Sequence, residues 1–205
     1  VSIFGQSLAA ASHALGSSDL VNGNLPTTLA GVSVQVDNQP AFLQYVSPSQ
    51  INAQAPADSN TGSVRVTVTN SGGTSDAVTV NLQSMQPAFF TSQNYVAAAR
   101  VDGAIIGAGT PAKSGDVLQL YGTGFGPTNP AVSPGSVFQG SFPLANTVKV
   151  SIGGADANVS YSGLVGAGLC QINVTVPALA DGDHAVLAQV AGVSAQTGVL
   201  LKVKN

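Results

Sequence analysis

Glutamate and tryptophan are missing from this chain of 205 residues, and cysteine occurs once. Without Glu, the two carboxyl groups that usually flank a glycosidic bond in a hydrolase would both have to be aspartates. The nine aspartates sit mostly beside Gly, Asn or Ser, as in Asp37-Asn38, Asp102-Gly103 and Asp181-Gly182, and turn formation accounts for them. Without Trp, the Cys…Trp…Cys core of antibody domains is excluded. A lone Cys170 excludes a disulfide or a cysteine-based zinc site within the chain. In the apolar run Leu169-Cys170-Gln171-Ile172 it reads as a small buried hydrophobe.

Charge is equally scarce. Charged residues make up 7% of the chain, against roughly 25% in ordinary soluble domains. The six Lys and Arg are scattered and the formal net charge is -3, so the basic footprint of a nucleic-acid binder is missing. No apolar run approaches the ~20 residues of a membrane-spanning helix. The start, Val1-Ser2-Ile3-Phe4-Gly5, lacks the basic opening of a signal peptide and reads as a mature or trimmed end. Hydrophobic residues, at 44%, are enough for a packed core. The polar share falls to Ser, Thr, Asn, Gln and Gly, a neutral surface that suits an extracellular protein or one covered by neighbouring subunits.

What is present is alternation. Val32-Ser33-Val34-Gln35-Val36, Val64 to Thr69, Val78-Thr79-Val80-Asn81-Leu82 and Val148-Lys149-Val150-Ser151-Ile152 switch between apolar and polar at every residue. Such a period puts one set of side chains into a core and the other toward solvent, as in antiparallel strands. Asn70-Ser71-Gly72-Gly73 and Asp102-Gly103 supply turns. Leu8 to Leu15 holds at most one turn of helix before Gly16.

An internal repeat organises these strands. Val1 to Leu8 matches Leu118 to Phe125, with Gly5 opposite Gly122. Leu25-Pro26 followed by Val32 to Val36 matches Phe142-Pro143 followed by Val148 to Ile152. Gln50-Ile51-Asn52 with Pro56 matches Gln171-Ile172-Asn173 with Pro177. The expected fold is all-β, two tandem immunoglobulin-like β-sandwiches. Residues 1–84 form the first, without a lead-in strand. Residues 85–205 form the second, with an extra N-terminal hairpin around Asp102-Gly103 and a lead-in from Pro111 to Asp116.

The Gly-containing first strand and the segment Tyr121-Gly122-Thr123-Gly124-Phe125-Gly126-Pro127 resemble IPT/TIG domains, a branch of the immunoglobulin-like folds. The wider set adds Ile3-Phe4-Gly5, Gln50-Ile51-Asn52, Pro87-Ala88-Phe89-Phe90, Pro111 to Asp116 and Thr123 to Pro130. With these, nearly the whole chain is similar to the roughly 200-residue C-terminal module of secreted Solibacter-type acidobacterial proteins. The resemblance implies fold and an extracellular or cell-surface location, and brings no biochemical activity or cofactor with it.

Other motifs favour plain readings. Gly122-Thr123-Gly124-Phe125-Gly126 follows a strand, but Pro127 and Asn129-Pro130 replace the helix that a dinucleotide site needs. His13 and His184 have no G-x-S-x-G elbow and no clustered Cys or Glu, so neither a triad nor zinc is expected. Asp58-Ser59-Asn60 and Asp181-Gly182-Asp183 offer calcium-type oxygens without a complete calcium loop. Asn158-Val159-Ser160 and Asn173-Val174-Thr175 are glycosylation sequons by coincidence, in strand-like segments. Tyr45, Tyr95, Tyr121 and Tyr161 make a sugar platform only if two face solvent together; most are expected in the core.

The expectation is therefore a non-enzymatic structural subunit, of a filament or cell-surface layer, assembling with copies of itself or with neighbouring surface proteins. The assembly residues are Val1, Ser2, Ile3 and Phe4 at one terminus and Val199, Leu200, Leu201 and Val203 at the other. The alternative is an adhesion module, binding a glycan or a protein, at the C-terminus of a larger secreted protein.

Overall fold

The computed structural model describes residues 1–57 and 60–205, and their regular elements are strands apart from one 3-10 turn at Ser17–Asp19. Between Leu8 and Gly16 the chain forms no helical turn but a short strand, His13–Ala14. Two compact units arise: Val1–Ser84 with Ser133–Phe138, and Met85–Val132 with Gln139–Asn205.

The first unit is a sandwich of six main strands: β1 (Ser2–Phe4), β2 (Val32–Val36), β3 (Phe42–Val46), β4 (Gln50–Gln54), β5 (Gly62–Asn70) and β6 (Val78–Leu82). One sheet runs β1-β4-β3 and ends on His13–Ala14; the other runs β6-β5-β2 and ends on Thr28–Leu29. Alternation explains which residues meet between them. Val32, Val34 and Val36 are buried while Ser33 and Gln35 point away. They pack with Leu29, Leu43, Val46 and Ile51. Asp37 and Asn38 both take positive φ, 49° and 61°, in the tight turn that follows β2. Segment Ser133–Phe138 joins this unit through Leu25 N–H donating to the Gly135 carbonyl (2.7 Å) and Gly135 N–H donating to Gln54 Oε1 (3.0 Å).

The second unit holds β7 (Tyr95–Val96), β8 (Ala98–Arg100), β9 (Val117–Thr123), β10 (Val148–Ile152), β11 (Ala155–Gly166), β12 (Leu169–Thr175), β13 (Gly182–Val190) and β14 (Leu200–Val203). β11 serves both layers. Its residues Ala155 to Ala157 pair with β10, and Asn158 to Gly166 pair with β12. The core includes Leu118, Leu120, Phe125, Ile152, Ile172, Val174, Val186 and Leu201.

The repeat holds at the level of register. Ser2, Ile3 and Phe4 face Asn52, Ile51 and Gln50; Gln119, Leu120 and Tyr121 face Asn173, Ile172 and Gln171. Even the irregularities coincide. A bulge lies between Leu43 and Tyr45 opposite Ala53 and Asn52, and another between Val159 and Tyr161 opposite Val174 and Asn173. Strands β1 to β6 thus correspond in order to β9, β10, β11, β12, β13 and β14.

Candidate functional site

One outer face recurs in both units. On the outer side of β4, Gln50 Nε2 donates to Asn52 Oδ1 at 2.8 Å, and Ser2 Oγ donates to the same oxygen at 2.9 Å. On β12, Gln171 Nε2 donates to Asn173 Oδ1 at 2.8 Å. Tyr45 and Tyr161 stand opposite Asn52 and Asn173. The tyrosines are therefore not core residues, contrary to the sequence expectation: all four are half-buried. For Tyr45 and Tyr161 the bulges are the reason. Counting by twos from buried Leu43 puts Tyr45 inside, but the extra residue reverses the parity and sends Tyr45 outward, while Val46 returns to the core. Tyr161 Oη is buried among Gly163 and its neighbours without a hydrogen-bond partner.

The edges differ between the units, and here the repeat stops being a repeat. In the second unit a single segment, Asn94 to Arg100, closes the gap between the two sheets. At its start, Leu200 N–H donates to the Asn94 carbonyl (2.8 Å) and Tyr95 pairs in parallel with Leu200. At its end, Ala98, Ala99 and Arg100 pair antiparallel with Leu120, Gln119 and Leu118. The lead-in expected at Pro111 to Asp116 adds to the cover: Ala112 bridges to Val203, accepting from Lys204 N–H and donating to the Lys202 carbonyl. Arg100 fixes the far end, with its guanidinium on Asp116 Oδ2 (2.9 Å) and on the Pro111 carbonyl (2.8 Å).

In the first unit, among the described residues, no strand pairs with the outer edge of β1 or of β6. Burial follows. Leu120, Val186, Leu201 and Val203 are sealed in the second unit, whereas their counterparts Ile3, Val66, Val80 and Leu82 are half-buried or exposed. Val199 is 2% exposed and its counterpart Val78 is 63% exposed. Of the residues expected to assemble, Val1, Ser2, Ile3 and Phe4 thus lie on an open edge, with Phe4 74% exposed. Leu200, Leu201 and Val203 lie on a strand paired along both edges, with β13 on one side and with Tyr95 and Ala112 on the other, and the carbonyl of Val199, just before it, accepts from Val186 N–H. The open counterpart of that strand is β6. Its valines were legible as a strand; that no described residue pairs with its outer edge was not.

The remaining candidates have structural employment. His13 Nε2 meets Asp19 Oδ2 at 2.9 Å, and the Gly16 amide donates to the same carboxylate at 2.7 Å. That amide first, and His13 second, hold the Asp19 carboxyl below its ordinary pKa. His184 N–H donates to the Ala180 carbonyl. Asp181 accepts from Asn205, and Asp183 from the Tyr95 hydroxyl, whose pKa that bond raises. The calcium reading at Asp58-Ser59-Asn60 falls on Asp58 and Ser59, outside the described residues. Among the described residues no three His, Cys, Asp or Glu converge on a metal position. Cys170 is buried, and burial pushes its thiol up to about 11. Gly122 and Thr123 end β9, and Gly124 to Gly126 form a loop whose Phe125 enters the core and meets the Phe89 ring at 5.5 Å.

Residues 1–86 match the IPT/TIG domain family. The IPT/TIG match covers the first unit's main strands and supports an immunoglobulin-like module there. No curated protein matches the chain. Among solved structures, the Bacteroides ovatus mixed-linkage glucan utilization locus SGBP-B, in complex with a mixed-linkage heptasaccharide, is 17% identical, with 85% of this chain covered and a TM-score of 0.32. The chain spans 37% of the length of that protein. Domains 4 and 5 of the S-layer protein SbsC are 18% identical over 85% of this chain and 77% of theirs, with a TM-score of 0.26. The D0-D1 domain of intimin is 14% identical over 93% and 88%, with a TM-score of 0.26.

Proposed function

We propose that the chain is a non-catalytic extracellular structural module that joins other surface polypeptides through the open edges of its first unit. One observation carries this reading: among the described residues β1 and β6 are bare where their counterparts β9 and β14 are covered. An uncovered strand edge presents N–H and C=O groups that another strand satisfies. The surface agrees, since Ser, Thr, Asn and Gln in place of charges let two such surfaces meet without stripping water from ions. The test is sedimentation and negative-stain electron microscopy of the chain mixed with extracellular protein from its own source. Association that Thr79→Pro or Phe4→Pro abolishes supports the reading; association indifferent to both overturns it.

A second reading rests on the paired outer faces. Gln50, Asn52 and Tyr45, repeated as Gln171, Asn173 and Tyr161, offer neutral amides beside a tyrosine, the chemistry of a glycan contact. Retardation in affinity gels containing neutral polysaccharide, lost in Tyr45→Ala and Tyr161→Ala, would favour this alternative.

A further inference from the structure

The second unit contains the solution to the first unit's open side. Laying β9 and β14 on β1 and β6 places Thr79 at the position of Leu200, Asn81 at Lys202, Ser2 at Gln119 and Ile3 at Leu120. In the second unit Leu200, Gln119 and Leu120 hold the segment Asn94 to Arg100, parallel to one edge and antiparallel to the other, while the Lys202 carbonyl accepts from Ala112 of the separate lead-in. Its inward side chains are small: Val96 and Ala98 are buried against the core, while Tyr95 stays half-exposed. The matching slot in the first unit is bordered by Ile3, Val66, Val78, Val80 and Leu82, without a charge among them.

Building on the joining role proposed above, we propose that this slot takes one extended strand from a polypeptide outside residues 1–205. The strand lies between the sheets, parallel to β6 and antiparallel to β1, and is not two separate additions to two edges. Its chemistry follows from the template. It is uncharged along its buried side, has small or β-branched residues at alternate positions, and is about six residues long. A wide aromatic does not fit at the Ala98 position, because Ala98, the register partner of Leu120, is already buried in the template. A charged residue facing Val66 and Val80 would be buried without a partner. The Thr79 N–H is the address on β6, since Leu200 N–H plays that part on β14 by donating to the Asn94 carbonyl at 2.8 Å. Phe4 N–H is the address on β1, matching Tyr121 N–H, which donates to the Ala97 carbonyl at 2.9 Å.

The test uses the whole 205-residue chain and a blocked, fluorescent peptide with the sequence of Asn94 to Val101, the chain's own covering strand. Saturable binding is expected by anisotropy. Thr79→Pro deletes one edge N–H at a position where an edge strand tolerates proline, and is expected to weaken binding at least tenfold with an unchanged circular dichroism spectrum. Direction is read by disulfide trapping. Thr79→Cys is expected to capture a peptide carrying Cys at the Tyr95 position, and Ser2→Cys one carrying Cys at the Ala99 position. Absence of saturable binding by the folded chain, or capture in the reverse order, overturns the proposal. Trapping of two copies of the chain through Thr79→Cys, with no peptide bound, overturns the named occupant and leaves the joining role standing. If neither peptide nor any other protein engages β1 or β6, both fall.

Discussion

Val80 and Leu201 occupy the same position in the two halves of the repeat, yet Val80 is 41% exposed and Leu201 is 1% exposed. The strands that carry them have the same partners on one side. They differ on the other side, where Tyr95 and Ala112 cover the strand of Leu201.

Truncation at these two positions therefore has unequal consequences. Leu201→Ala is expected to cost about 2–5 kcal/mol, the range for a fully buried leucine. Val80→Ala is expected to stay within about 0.5 kcal/mol in the isolated chain. Urea unfolding followed by tyrosine fluorescence and circular dichroism measures both.

The same contrast reaches the glycine of the first strand. A Cβ on Gly122 would run into the Ala88 carbonyl oxygen and the Phe125 ring, whereas a Cβ on Gly5 meets only the flexible tip of Leu8, at 3.0 Å. Gly122→Ala is expected to destabilise by about 1–3 kcal/mol as an overpacking change, and Gly5→Ala to be near neutral. Equal losses in thermal melts of the two variants would contradict the close approach of Ala88 and Phe125 to Gly122.

The repeat was legible because each landmark must fall on one face of a strand. Ile51 and Ile172 are core residues flanked by amides that point outward, and a shift of one residue would have exchanged them. Alternation could not reveal the bulges at Tyr45 and Tyr161, since an inserted residue leaves no mark on composition. The six residues Ser133–Phe138, which belong to the first unit although they lie far along the chain, had no local signal either. Nor did the open edges: Val78-Thr79-Val80-Asn81-Leu82 has the pattern of a half-covered strand whether or not a neighbour lies beside it. Edge pairing depends on segments remote in sequence.

Cys170 should behave as an inert thiol. Iodoacetamide at pH 8 is expected to leave it unmodified in the native chain and to label it fully in 6 M guanidinium. Its folded pKa is raised to about 11 by burial, above the ordinary thiol value of about 8.5. Its contribution is therefore intact below about pH 8.5 and is lost as the pH rises toward 11, because the unfolded chain releases the proton first. Denaturant midpoints that stay level across that window in wild type would refute the burial of the thiol.

Arg100 ties the end of the covering segment to the lead-in. Arg100→Leu removes the donors to Asp116 Oδ2 and to the Pro111 carbonyl, and is expected to cost about 1–3 kcal/mol through the groups left unpaired. Hydrogen exchange should accelerate at the amides of Ala98 to Arg100 before it does in β13. Uniform acceleration throughout the second unit would mean that the pair stabilises the unit as a whole rather than this segment.

The cover over β14 also has a mechanical side. Tension applied through Asn205 acts along β14, not across it. The antiparallel ladder with β13 and the parallel contacts with Tyr95 and Ala112 then share the load in shear, and many bonds must fail together. β6 has a ladder on one side alone, with β5. A strand placed in the slot beside it would add backbone bonds on the second side, so that filling the gap lets this half of the chain share a pull between two neighbours as β14 does.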